Sequence, residues 1–388
     1  MGPWGVLAVP LDPRIEAYGA SKCVDCGRCT YACPASQIGG DFSPRGIMER
    51  MELSGEVPAN KDIWLCMTCK QCTQICQFGV RFHEVVREIR PDLRRRLPPE
   101  PNHGGAPEAI ERLSAMPGIK PRKQRWMTPD LKLDGSSGTL LFVGCTPFFD
   151  VIFRYLRQDL LEIPRSSVRL LNASGISPRL LMDERCCGHD SYWLGDMELF
   201  EKVATLNVEA VERLGINELV AFCPECMVTW KHTYPKVVGK LSFEVRSMAE
   251  VVAEAIDEGR LELTHVEERL TYQDPCRLGR HSDIYSAPRK ILATTANLEE
   301  MPRSREMAAC CGNSSFVNCG PQTRLWQLER LKEGAGTGAE CMITACPKCL
   351  IHFTCAMSEE VQLVERPRMP IKDIHVHAAS RLKTGRGA

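Results

Sequence analysis

Glu218-Leu219-Val220-Ala221-Phe222-Cys223-Pro224-Glu225-Cys226 is a short apolar run that delivers a Cys-Pro-x-Cys turn. It returns later in the chain as Cys341-Met342-Ile343-Thr344-Ala345-Cys346-Pro347-Lys348-Cys349. Short apolar runs bounded by turn residues suit buried strands of a parallel sheet. Working outward, the first copy begins with a strand over 139–143 that ends in Gly144-Cys145. An amphipathic stretch over 148–161, a second strand over 168–171, Cys186-Cys187-Gly188 and a helix over 197–214 follow. The second copy has a strand over 269–272 running to Asp274-Pro275-Cys276, then Cys310-Cys311-Gly312 and a helix over 322–332. Every cysteine recurs in matching order, which marks a duplication. In each copy the cysteines fall at carboxyl ends of strands, where open α/β sheets place their ligands.

Adjacent cysteines point to opposite faces of an extended chain, so they clamp one small ion poorly. They suit a larger polynuclear cluster, with the following glycine letting backbone approach. A buried apolar pair or a vicinal disulfide would explain one Cys-Cys-Gly. Neither explains two, each framed by a strand-end cysteine and a Cys-Pro-x-Cys.

Further toward the amino terminus stand two arrays of four, Cys23-x-x-Cys26-x-x-Cys29-x-x-x-Cys33-Pro34 and Cys66-x-x-Cys69-x-x-Cys72-x-x-x-Cys76. Zinc uses cysteines in pairs and has no need of the third, evenly spaced one. The spacing resembles that of bacterial dicluster ferredoxins, where three thiolates of one array and the fourth of the other hold each cubane [4Fe–4S] cluster. On that resemblance Cys23, Cys26, Cys29 and Cys76 hold one cluster, and Cys66, Cys69, Cys72 and Cys33 hold the other. Gln77 departs from the pattern by replacing the second proline. Phe78-Gly79 is expected to turn the chain there instead, with local solvent access, and so the potential, open to change.

The duplicated plan resembles the cysteine-rich CCG domain of heterodisulfide reductases. The whole resembles their fused catalytic subunit, with the likeness running over roughly residues 20–378. The resemblance implies a noncubane [4Fe–4S] cluster at each of two five-cysteine sites. One would be Cys145, Cys186, Cys187, Cys223 and Cys226; the other Cys276, Cys310, Cys311, Cys346 and Cys349. It also implies two sites facing each other across a pseudo-twofold axis, where a disulfide gives one sulfur to each cluster, with Cys187 and Cys311 central. Cys319, Cys341 and Cys355 are left over and are assigned no role. The post-motif residues His189-Asp190 and Asn313-Ser314-Ser315 differ from the glycine-rich runs associated with the methanogen enzymes. That difference favours a second reading, an electron-transfer subunit beside a flavin dehydrogenase or a low-potential aromatic-ring reductase. A zinc-bound scaffold is the third.

The expected architecture is therefore α+β and α/β, multidomain. A helical dicluster domain (1–97) and a linker and arm (98–138), opened by Pro98-Pro99 and Gly104-Gly105, precede two α/β CCG domains (139–247 and 248–388) with pseudo-twofold symmetry. The chain of 388 residues carries 49 Lys and Arg against 49 Asp and Glu, so charge offers no case for nucleic acid. No apolar run reaches the ~20 residues of a membrane span, and Gly5–Val9 before Pro10 is too short for a signal core. Its 21 cysteines, without a secretory signal, indicate a reduced, cytoplasmic protein, peripheral to a membrane only through a partner, and the resemblance implies that it is oxygen-sensitive.

No P-loop or dinucleotide motif is present, and Gly334-x-Gly336-x-Gly338 follows a helix as a C-cap and loop. Electrons must then come from a flavin-containing or cytochrome b subunit, making a hetero-oligomer, and pass to a small-molecule disulfide or a partner reductase. His189 is a candidate proton donor beside a cluster or an ordinary hydrogen-bonded histidine; His281 and His352 are weaker candidates. Arg277 and Arg280 flank Cys276 and are able to fork onto a substrate carboxylate. More plainly, cations beside an anionic cluster raise its potential. Asp274 reads as a turn residue. Arg94-Arg95-Arg96 reads as a solvated helix end or a docking patch for an acidic partner.

Overall fold

The computed structural model describes residues 12–37, 42–54, 61–119, 124–358, 367 and 369–383. The run Gly5–Val9 lies outside them. Two parallel sheets carry the duplication. The first has the order β1-β2-β3, with β1 Thr139–Phe142, β2 Glu218–Ala221 and β3 Glu244–Ser247. The second has the order β5-β4-β6-β7, with β4 Arg269–Gln273, β5 Asn297–Leu298, β6 Cys341–Thr344 and β7 Ile371–Asp373. Leu140, Leu141 and Phe142, with Leu219 and Val220 beside them, are fully buried, as strands covered on both faces by helices should be.

Helices start where sequence provides caps. Ser247 closes β3 and opens the helix Met248–Asp257 with a capping box to Glu250. Asp373 does the same after β7, accepting from His375 N ahead of Ile374–Ala379. Residues 168–171, expected as a strand, belong to the helix Glu162–Ala173. Ile163, Ser167, Leu170 and Leu171 are buried there along with Val168, which is helical spacing. The stretch 148–161 is the helix Thr146–Ile152 followed by a 3₁₀ turn, Arg154–Leu156. Within the expected linker and arm, Ala106–Ser114 is helical.

The chain divides into two compact units that do not follow its order. The smaller gathers residues 1–105, 190–197 and 312–326; the larger holds 106–189, 198–311 and 327–388. In the smaller unit, both segments that follow a Cys-Cys-Gly motif are packed with the arrays. Arg90, fully buried on the helix Phe82–Arg96, donates to Trp193 O (2.6 Å) and Cys66 O (2.7 Å). Thr68, between two array cysteines, shares a hydrogen bond with Ser314 (3.0 Å), and Asn318 donates to Trp64 O (2.8 Å). Arg94 pairs with Asp196 and Arg95 with Asp92, so the basic run is at least partly taken up by neighbouring acids.

In the larger unit both sheets share one core. The helix Glu162–Ala173 of the first copy packs on Ile374–Ala379 of the second, and Met248–Asp257 packs on Ser286–Thr295. Among the described residues no helix is long and apolar enough to cross a membrane.

Candidate metal centres

None of the 21 cysteines is in a disulfide. In the smaller unit the eight array cysteines line two recesses. The first, about 450 Å³, is lined by Cys23, Cys26, Cys29, Cys72 and Cys76, beside Val24, Phe78 and Phe82. The second, about 310 Å³, is lined by Cys33, Cys66, Cys69 and Cys72, with His83 and Thr68. Each recess gathers thiols of both arrays, as a group shared between the arrays requires. Cys76 thus stands with the first array and Cys33 with the second. Cys26 is exposed, whereas Cys33, Cys66, Cys69 and Cys72 are buried. Gly79 has φ +73°, so the turn expected of Phe78-Gly79 is made by a left-handed glycine. Burial pushes the Cys33 thiol up to about 12, and Cys72 rises well above its usual range for the same reason.

Eight of the ten cysteines of the repeat form one chain of contacts in the larger unit, and Cys276 and Cys310 form a further pair. Cys145 and Cys276 are half-buried and the others buried. Cys145 and Cys186 are hydrogen-bonded, Cys187 meets Cys186 and Cys226, and Cys226 meets Cys223. Cys223 meets Cys346, which meets Cys349, which meets Cys311; Cys276 meets Cys310. The two sets therefore join at Cys223 and Cys346. Hydrogen bonds that they donate to neighbouring cysteines, then burial, hold Cys145, Cys187, Cys226, Cys346 and Cys349 well above the ordinary thiol range. Cys223 goes well below it because Cys226 and Cys346 both donate to it. Cys276 is lowered by its bond with Cys310, then by Arg277 and Arg280. Thiols crowded like this resist joint ionisation without a cation among them, and a bound metal group reverses that preference.

Backbone geometry fits the crowding. Gly144 has φ +66°, and a Cβ there would lie 2.9 Å from Cys226 Sγ. The carbonyls of the adjacent cysteines are held from below. Asn207 donates to Cys186 O (2.8 Å) and Tyr234 to Cys187 O (2.9 Å), while Gln327 donates to Cys311 O (3.0 Å). Gln273 holds Ala309 O (2.9 Å) and is itself held by Arg330 (2.6 Å). From the helix Ala106–Ser114, Glu111 lies 3.7 Å from Cys186 Sγ and Ser114 Oγ accepts from Cys186 N (3.2 Å). None of these was marked by sequence reasoning. The available signal was a polar residue on an apolar helical stripe, Asn207 among Val203, Ala204, Val208 and Val211.

His189, buried, has Nδ1 3.4 Å from Glu225, and Glu225 is paired with Lys348 at 2.7 Å. Arg277 and Arg280 are both buried; Arg277 meets His281 (2.7 Å) and Arg280 donates to Ala308 O (2.6 Å). His352 is buried in the helix Pro347–Ser358. Asp274 is more than a turn residue, since it takes both nitrogens of Arg289 (2.8 and 3.0 Å) in the interior. Of the leftover thiols, Cys319 accepts from Asn313 (2.9 Å), Cys355 lies 3.8 Å from Tyr155 Oη, and Cys341 is buried in β6.

Paired thiol sets at the ends of two parallel sheets, preceded in the chain by two cubane-spaced arrays, define an iron–sulfur oxidoreductase. Residues 19–80 match the 4Fe-4S dicluster domain, and residues 139–231 and 270–354 match the cysteine-rich CCG domain. The chain thus carries both the dicluster and the CCG signatures, and heterodisulfide reductase chains are among its relatives. It is 28% identical to a chain of the dihydromethanophenazine:CoB--CoM heterodisulfide reductase of Methanosarcina barkeri, over 86% of this chain and 88% of that one. It is 25% identical to the EtfAB:quinone oxidoreductase of Syntrophomonas wolfei and 26% to the probable iron-sulfur-binding oxidoreductase FadF of Bacillus subtilis. It spans 54% and 59% of those two proteins.

Proposed function

We propose that this chain is the catalytic subunit of a disulfide-reducing complex, with two cubane clusters and two noncubane clusters. The observation that carries the reading is the chain of eight thiols in which the two five-cysteine sets meet at Cys223 and Cys346. Cys23, Cys26, Cys29 and Cys76 would hold one cubane; Cys33, Cys66, Cys69 and Cys72 the other. Cys145, Cys186, Cys187, Cys223 and Cys226 would hold one noncubane cluster, and Cys276, Cys310, Cys311, Cys346 and Cys349 its counterpart. When bound, such clusters supply one-electron transfer and iron that bonds sulfur. Helices pack across the copies in equivalent pairs, Glu162–Ala173 (after β1) on Ile374–Ala379 (after β7) and Ser286–Thr295 (after β4) on Met248–Asp257 (after β3), which supports a pseudo-twofold arrangement.

The overall reaction takes one disulfide, two electrons and two protons to two thiols, the electrons coming from a flavin or cytochrome b partner. The exposed Cys26 gives that donor its approach at the first array. Asn207, Tyr234 and Gln327 hold the adjacent cysteines in place, and His189 is the candidate proton donor. The domain division proposed from sequence stands beside this reading, as does a cytoplasmic location with membrane attachment only through a partner.

A second reading is favoured by the likeness to the EtfAB:quinone oxidoreductase and FadF. In it the chain passes electrons within a complex and has no substrate of its own. Oxidation of a reduced viologen by anaerobically purified protein, with a panel of disulfides, separates the two. Turnover with at least one disulfide supports the first; none, with all clusters intact, selects the second.

A further inference from the structure

We propose that the buried Glu225–Lys348 pair levels the reduction potentials of the two five-cysteine sites, by lending each site the charge that its own surroundings lack. The proposal rests on the reading that both sites hold a cluster.

Glu225 and Lys348 occupy the same place, the x of Cys-Pro-x-Cys, in the two copies. Their side chains are 11% and 6% exposed and meet at 2.7 Å. Opposite charges at equivalent positions of a duplication make the copies electrostatically unequal, and the pair is crossed. Lys348, from the second copy, has its ammonium 5.9 Å from the ring of Phe149, four residues past Cys145 of the first. Its charge favours the thiolates of Cys145 and Cys223, both in the first set. Glu225, from the first copy, is held by its 2.7 Å pair with Lys348 against the Cys346-Pro347-Lys348-Cys349 turn of the second, where its charge opposes the thiolate of Cys346.

The other charges around the two sites run the opposite way. Around the first set stand Glu111, 3.7 Å from Cys186 Sγ, and Glu184, which accepts from the backbone of Val143 (2.8 Å) and Gly144 (2.6 Å) just ahead of Cys145. Arg185, beside them, has its guanidinium turned onto the carbonyls of Ser114 (2.6 Å) and Met116 (3.0 Å). Around the second set, Arg277 and Arg280 flank Cys276, both buried and both favouring its thiolate. A nearby cation stabilises the more negative, reduced form of a cluster, and an anion does the reverse. The acid-rich first site would therefore sit low and the arginine-rich second site high. Lys348 raises the first and Glu225 lowers the second. A stability role is a poor account of the pair, because a buried ion pair is usually replaceable by apolar side chains. Near-equal potentials, by contrast, are what two one-electron sites need when they act on the two halves of one disulfide.

The test is a potentiometric titration of the cluster-loaded protein, followed by electron paramagnetic resonance, after iron has been counted. Midpoints are assigned to sites with Cys145→Ser and Cys276→Ser, each expected to remove one signal. The double variant Glu225→Lys with Lys348→Glu keeps the ion pair but reverses its polarity. It should lower the first-site midpoint, raise the second and widen the gap between them. Should that variant not assemble, Lys348→Gln should lower the first midpoint alone and Glu225→Gln should raise the second alone. A purely structural pair would leave both midpoints in place in the swapped variant. Unmoved midpoints, movement of both in one direction, or a narrowed gap overturns the proposal while leaving the cluster reading intact. Iron enough for the two arrays only, about eight per chain, overturns that reading and the proposal with it.

Discussion

Cys76 is the residue on which the arrangement of the arrays turns. It lines the recess of Cys23, Cys26 and Cys29, although its nearest cysteine in sequence, Cys72, lines both recesses. Cys76→Ser is expected to damage the cluster of the first array and spare that of the second, because each cube draws its fourth ligand from the other array. Spectra of the reduced protein check this; loss confined to the Cys66 array would mean that the ligands are not exchanged. At this scale the cysteines were legible because their chemistry demands a fixed residue type at a fixed spacing. Asn207, Gln327, Glu111 and Ser114 were not. A hydrogen bond to a cysteine's backbone can come from many side chains on many elements, so no spacing announces it. Lys348 and Glu225 stood inside the quoted motif, yet the meaning of the x position appears only once the two turns are packed together.

Elements were legible in proportion to their length and periodicity. The helix Met197–Glu212 and the strands β1, β2, β4 and β6 were anticipated within a few residues. β3 was missed because Glu244 and Arg246 interrupt it, leaving no apolar run, and β5 and β7 because two and three residues leave no room for a period. The run over 168–171 misled because four residues of a helix's buried stripe cannot be told from a buried strand without their neighbours. The last helix, Ile374–Ala379, carries a prediction of its own. His377 is buried against Thr295 (3.0 Å), and burial, then Arg381, push its pKa down to about 4 from an ordinary 6.5. A histidine lowered in the folded state binds more protons when unfolded. Its contribution is complete above pH 6.5 and is lost as pH falls toward about 4. Anaerobic melting temperatures at pH 7.5 and 5.5 should therefore fall further for the native protein than for His377→Gln. An equal fall in both would show that this imidazole is not the titrating group.

Over the whole molecule, the duplication was legible because ten cysteines recur in order. The compact units were not, because membership in a unit is decided by packing rather than by chain order. Residues 190–197 and 312–326, which read as interiors of the repeated domains, belong with the arrays. Each begins within three residues of the second cysteine of a Cys-Cys-Gly motif, so both copies are tied by the chain itself to the array unit. That common connection bears on whether the two sites act singly or as a pair. A disulfide has two sulfurs, and cleaving it without releasing a radical needs an acceptor for each. Cys187→Ser and Cys311→Ser should each abolish disulfide reduction while leaving reduction of the arrays by an artificial donor intact. The double variant should lose no more than either single one, since groups that act as a unit are not additive. A chain that only carries electrons gives a different pattern. The native protein would reduce no disulfide, and the two variants would slow electron flow to a partner by unequal amounts, according to which site lies on the route. Rates for the native protein, the two single variants and the double variant, measured with one donor and one disulfide, decide between a pair of sites and a relay.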